Sequence, residues 1–106
     1  MDIQLKRGLL EVCVLAAIKD EPSYGYQIIK DMKPYLALSE STLYTVLKRL
    51  EGMEMLTVQT AEHGGRLRKY YHITDAGRQR LSDFRREWRE MTALCQFIMR
   101  GDGMNE

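Results

Sequence analysis

The sequence predicts a mainly α fold with one small β-hairpin, and three observations lead there. Apolar residues recur three or four apart through three segments before Leu56, the spacing of a buried helical face. Between Leu56 and Ile73 the spacing changes to alternation around a pair of glycines, as a hairpin requires. From Leu81 to Ile98 apolar residues return at steps of three and four, which is a heptad seam. This order of elements predicts a winged helix-turn-helix with a long C-terminal dimerisation helix. The expected division is 1–73 for the winged part, whose first helix also enters the dimer interface, 74–100 for the dimerisation helix, and 101–106 for a loose tail.

A chain of 106 residues suits one domain, near the size where pairing with a second copy helps to bury surface. A hydrophobic fraction of 44% and a charged fraction of 29% are globular values, and two prolines with eight glycines leave no room for a disordered linker. The longest apolar run, Val12 to Ile18, is far below the ~20 residues of a membrane span. With no secretion signal at the N-terminus, a cytoplasmic location is expected. Cys13 and Cys95 fall within apolar helical patterns, so both are expected as reduced, buried thiols. The net charge of +1 requires that any grip on nucleic acid come from cations placed locally.

The first helix is expected from Leu5 to Asp20, with Leu5, Leu9, Val12, Cys13, Ala16 and Ala17 in helical phase. Leu10, Val14, Leu15 and Ile18 widen the stripe almost to a full circle, so this helix packs on its own domain and on a partner. Pro22 stops it, and Ser23 can cap a second helix from about Tyr24 to Tyr35 carrying Ile28, Ile29 and Met32 inward. Ser39 caps the third helix, where Leu43, Val46, Leu47 and Leu50 form the buried stripe. Gly52 and Met53-Glu54-Met55 end it. Leu56 to Thr60 and Leu67 to Ile73 then alternate as strands, with Tyr71 inward in phase with Leu67 and Ile73. Glu62 to Arg66 form a glycine-containing loop between them. Thr74 caps the last helix; from Asp75 to Met99 it would be ~38 Å long, more than one small core can cover.

Opposite the buried stripe of the third helix lie Ser41, Tyr44, Thr45 and Lys48. A merely solvated face would favour Glu, Lys and Gln, so hydroxyls and an aromatic point to a contact surface. A helix of ~10–12 Å diameter fits the major groove, while a basic hairpin reaches flanking phosphates or the minor groove. The expected DNA contacts are Ser41, Thr42, Tyr44, Thr45, Lys48 and Arg49 on the helix, with Arg66, Arg68 and Lys69 on the wing. Arg49 sits at the flank, where it reaches either a nearby Glu or the DNA, and the Tyr44 ring can pack under the wing with its hydroxyl free. The expected dimer interface is Leu9, Val12, Leu81, Phe84, Trp88, Met91, Cys95 and Ile98. Within it Trp88 is a large core residue or, with Phe84 and Met91, the lining of a pocket for a flat apolar effector.

No phosphate loop, paired-carboxylate cleft or nucleophile–base spacing is present, so no enzyme and no cofactor are expected. His63 and His72 lack ligand spacing to each other or to either cysteine, so no metal is expected. The competing class is a winged helix whose outward face docks a protein instead of DNA.

Tyr24-Gly25-Tyr26, Ser41-Thr42-Leu43-Tyr44, Leu47-Lys48-Arg49-Leu50-Glu51, Gly65-Arg66, Arg68-Lys69-Tyr70-Tyr71, Ile73-Thr74 and Gly77 carry a resemblance. In this order and spacing they resemble a small PadR-family transcriptional regulator of the subfamily with a short C-terminal helix. The resemblance implies a homodimeric winged-helix repressor binding double-stranded DNA at an inverted-repeat operator, with the C-terminal helix exchanged between subunits. Relatives that sense drugs or phenolic compounds imply a small aromatic effector as a further partner. One departure concerns the turn after the third helix, where the family's glycine is displaced and Met53-Glu54-Met55-Leu56 contains none.

Overall fold

The fold was obtained as a computed structural model, which describes residues 2–101; of the expected tail, 102–106 lie outside the described residues. Helix α1 spans Ile3–Ala17 and starts because the Asp2 carboxylate accepts a hydrogen bond from the Leu5 N–H at 3.1 Å. It therefore begins before Leu5 and ends before Asp20. Val14, Leu15 and Ile18 are fully enclosed, while Cys13 and Ala16 stay exposed. The expected burial of both thiols is thus corrected: Cys13 and Cys95 are free and exposed, because the other described elements leave the apolar faces that carry them largely uncovered.

Helix α2, Gly25–Met32, is shorter than expected, and Ser23 does not cap it. Ser23 instead pairs with Tyr71 as an isolated antiparallel bridge: Tyr71 N–H donates to the Ser23 carbonyl at 2.7 Å, and Ser23 N–H donates to the Tyr71 carbonyl at 3.2 Å. A one-residue bridge has no periodicity, so only the folded chain reveals it. Helix α3, Glu40–Gly52, starts at Ser39, whose hydroxyl oxygen accepts from the Thr42 N–H at 3.2 Å. Leu43, Val46, Leu47 and Leu50 are buried as the stripe requires.

Strands β1, Leu56–His63, and β2, Arg66–Ile73, form a two-stranded antiparallel sheet in which Val58 faces Tyr71 and Leu56 faces Ile73. The strands run further than expected, and the loop shrinks to Gly64-Gly65. Both glycines have positive φ, 58° and 80°, as a two-residue turn matched to the strand twist demands. Leu67 is 78% exposed, in contrast to the expected inward phase. Past Val58 and Tyr71 the hairpin leaves the core, so alternation no longer corresponds to a buried side.

Helix α4, Asp75–Met99, is capped by Thr74, whose hydroxyl oxygen accepts from the Gly77 N–H at 3.1 Å. A Cβ at Gly77 would collide with the Met55 carbonyl and the Ile73 side chain, so glycine is what lets α4 approach the turn after α3. The core is one cluster: α1, α2 and α3 enclose Leu15, Ile28, Leu43, Leu47 and Leu50, the hairpin base adds Leu56 and Tyr71, and α4 adds Leu81. Beyond Phe84, α4 leaves this cluster.

Candidate nucleic-acid interface

On α3, Ser41, Thr42, Tyr44, Thr45 and Lys48 are all exposed. At 100° per residue, Ser41, Thr45 and Lys48 point straight outward, Thr42 and Arg49 lie toward α1, and Tyr44 lies toward the wing. The Thr45 hydroxyl donates to the Ser41 carbonyl at 2.9 Å, which holds this exposed side chain in one rotamer. A threonine held in this way suits an apolar contact with a thymine methyl. Ser39 Oγ donates to Thr42 Oγ1 at 2.9 Å, so the cap also orients the first hydroxyl of the face.

Arg49 is bound to an acid that sequence proximity did not indicate. Its Nε donates to Glu11 Oε2 at 2.9 Å, joining α3 to α1 across 38 positions of chain. The Glu11 carboxylate is nearly buried and the Arg49 side chain about half exposed, so Arg49 serves first as the counter-ion of Glu11.

The Tyr44 ring lies beside β2 and also meets α2, where a Cβ on Gly25 would run into its hydroxyl. Tyr44 stays half exposed and, with Tyr24, Tyr26, Arg68 and Lys69, lines a cleft of about 440 Å³ between α2, α3 and β2. The Arg68 guanidinium lies 4.0 Å above the Tyr24 ring, and Tyr24 meets Tyr70 edge-on at 5.7 Å. These contacts fix Arg68 in place. Arg66 and Lys69 are exposed, beside the turn and one pair further from it than Arg68. The geometry thus puts hydroxyls and Lys48 on a projecting helix, with cations to one side, an arrangement able to meet base edges and phosphates together. Sequence reasoning did not single out Tyr24, Tyr26 or Glu11 as site residues; the Tyr24-Gly25-Tyr26 motif held the signal for the first two, and nothing local signalled Glu11.

Of the residues expected at the dimer seam, Leu81 and Val12 are 5% and 6% exposed within their own chain, so they have little surface left for a partner. Leu9, Phe84, Trp88 and Met91 meet at a cleft of about 210 Å³ between α1 and α4, with Leu5 and Gly8 on the α1 side and Arg80 and Glu87 on its rim. Phe84 and Trp88 stack there at 6.0 Å with ring planes 16° apart. Trp88 is 53% exposed, and Cys95 and Ile98 lie on the free part of α4. Solvent reaches Cys13, yet partial desolvation raises its thiol pKa above the ordinary value, which disfavours the reactive thiolate. Among the described residues no group of three metal-ligating side chains occurs, and no helix is long and apolar enough to cross a membrane.

A family model described as transcriptional regulator PadR-like family matches residues 14–83. A Streptococcus mutans UA159 protein of known structure is 40% identical, each chain covering 90% of the other, with a TM-score of 0.79. A PadR-like transcription factor from Bacteroides fragilis is 33% identical, with 90% of this chain and 94% of that one covered and a TM-score of 0.82. An uncharacterized protein of Lysinibacillus sphaericus is 34% identical over 101 residues, 90% of this chain and 92% of its own.

Proposed function

The chain belongs to the PadR-like family of transcriptional regulators, DNA-binding proteins rather than enzymes, and from that premise we propose a homodimeric, sequence-specific repressor that binds an inverted-repeat operator and leaves it when a small aromatic effector binds. The observation that carries this reading is that the molecule has two differently equipped ends. At one, α3 projects hydroxyls and Lys48 beside the wing cations. At the other, α4 runs past its own core with Trp88, Met91, Leu94, Phe97 and Ile98 uncovered, apolar surface that a second copy would bury.

Pairing of two such arms sets the separation of two α3 helices, and half-sites then lie about one helical turn, ~34 Å, apart. In this reading Ser41, Thr42, Tyr44, Thr45 and Lys48 touch DNA from the helix, and Arg66 and Lys69 reach phosphates. Arg68 is braced on Tyr24 while doing so, and Arg49 neutralises Glu11. A planar aromatic molecule entering beside Trp88 changes how α1 and α4 meet, and through the pair changes the spacing of the α3 helices.

Selection of bound fragments from genomic DNA, with sedimentation of the complexes, tests the reading. The expected result is an enriched inverted repeat carrying a dimer; no enrichment, or a monomer on a single half-site, would sink it. The effector is tested by titrating planar aromatic compounds while following the fluorescence of the one tryptophan. Absence of quenching by all of them would remove that part.

A further inference from the structure

We propose that the first turns of α1 form a second grip on DNA, in which Lys6 and Arg7, together with Ser41 and Thr42, hold the sugar-phosphate strand along the flank of α3 opposite the wing. This rests on the reading that α3 enters the major groove. The flank is shaped as a cleft of about 330 Å³ between α1 and α3. Ile3, Leu10 and Val46 line it as apolar surface, and Lys6, Arg7 and Arg49 with the three hydroxyls of Ser41, Thr42 and Thr45 supply its polar groups.

The spacing along α1 explains this arrangement. Ile3, Lys6, Arg7 and Leu10 follow the i, i+3, i+4, i+7 rule and share one side of the helix. Leu10 is inside the core, whereas Lys6 and Arg7 lie one turn earlier, where α1 has run past the edge of the core and both are exposed. The next residue on that side, Glu11, would repel a phosphate, but Arg49 neutralises it. Among the described residues Lys6 and Arg7 take part in no ion pair. The cleft therefore keeps two uncompensated positive charges although the whole chain has a net charge of only +1.

The chemistry fits a nucleic-acid backbone. Cations and hydroxyls suit phosphate oxygens, and the apolar lining suits the deoxyribose face beside them. The position fits as well. The major groove is ~12 Å wide and has a backbone on each side, so a helix seated in it needs a partner surface on both flanks. The wing with Tyr44, Arg66 and Lys69 serves one flank, and the start of α1 lies on the other.

The test compares the unaltered chain with the Lys6→Gln/Arg7→Gln variant, which preserves helix propensity and the apolar stems, on a duplex enriched in the selection above and on a scrambled duplex. Affinity is measured between 50 and 200 mM salt. Two lost phosphate contacts make the slope of log affinity against log salt shallower by about 1.8 for each protomer engaged, so the affinity deficit of the variant shrinks about tenfold per engaged protomer over that range. The deficit is expected on both duplexes, since backbone contacts carry no sequence information. An unchanged slope in a folded variant overturns the proposal and leaves the DNA-binding reading standing. Absence of salt-sensitive binding by the unaltered chain overturns both. Lysine acetylation of the unaltered chain supplies a readout independent of the variant's folding: DNA should protect Lys6 but not Lys19 beyond the other end of α1, and equal labelling of Lys6 with and without DNA overturns the proposal.

Discussion

Glu54 has φ of 59° at the end of α3, in a position that usually calls for glycine. The Met55 N–H donates to the Leu50 carbonyl at 2.9 Å and the Glu54 N–H to the Glu51 carbonyl at 2.9 Å, a Schellman closure that requires the left-handed residue between them. The glycine available, Gly52, lies inside the helix, where an added Cβ would meet nothing. Glu54→Gly should therefore raise stability by about 1 kcal/mol, and Gly52→Ala by about 0.5–1 kcal/mol, read from urea midpoints. A loss in the first would mean that the Glu54 side chain contributes more than its backbone strain costs. A second expectation concerns Tyr71, whose pKa is raised by burial first and then by Tyr44 and Glu51. A raised pKa in the folded state means full stability below the ordinary phenol value and loss as pH rises above about 10, because the unfolded chain ionises first. Tyr71→Phe should remove part of that alkaline loss while changing the midpoint little at neutral pH.

At the level of elements, the Arg49–Glu11 pair is the ion pair that joins α3 to α1. Breaking it from the Arg side strands a nearly buried carboxylate, so Arg49→Ala should destabilise by about 1–3 kcal/mol, less than a fully buried pair because Arg49 is half in solvent. Combining it with Glu11→Gln should recover most of the loss, and the double-mutant cycle checks this. Additive losses would mean that each residue acts alone. The hairpin shows a different division of labour. Its base is held by Leu56, Val58 and Tyr71 and by the Ser23 bridge, whereas its outer half carries exposed cations on a turn that only two positive-φ glycines close.

For the whole molecule, the radius of gyration of 16.6 Å exceeds the ~13 Å of a compact chain of about this size, and the long axis of 61 Å is more than twice either short one, 26 and 23 Å. The excess is the outer part of α4. In the proposed homodimer, Leu94→Glu with Phe97→Glu should yield a monomer in sedimentation while leaving the winged part folded, since neither residue belongs to the core. Persistence of the dimer would place its interface elsewhere, for instance on the exposed apolar face of α1 around Cys13 and Ala16.

The sequence by itself determined the elements and their order. The spacing of Leu43, Val46, Leu47 and Leu50, the caps at Ser39 and Thr74 and the two glycines of the hairpin turn depend on residues within a few positions of one another, so local periodicity and turn chemistry were enough. Tertiary structure decided what those faces meet. Leu67 has the right phase and no core above it, Leu81 lies in the seam pattern yet fills its own domain, and both cysteines sit on apolar faces that the other described elements leave largely uncovered. Glu11 and Arg49 find each other across 38 positions, and Ser23 joins β2 through a single bridge. Burial and long-range pairing depend on how far each element extends past its neighbours, a quantity that no window of sequence contains.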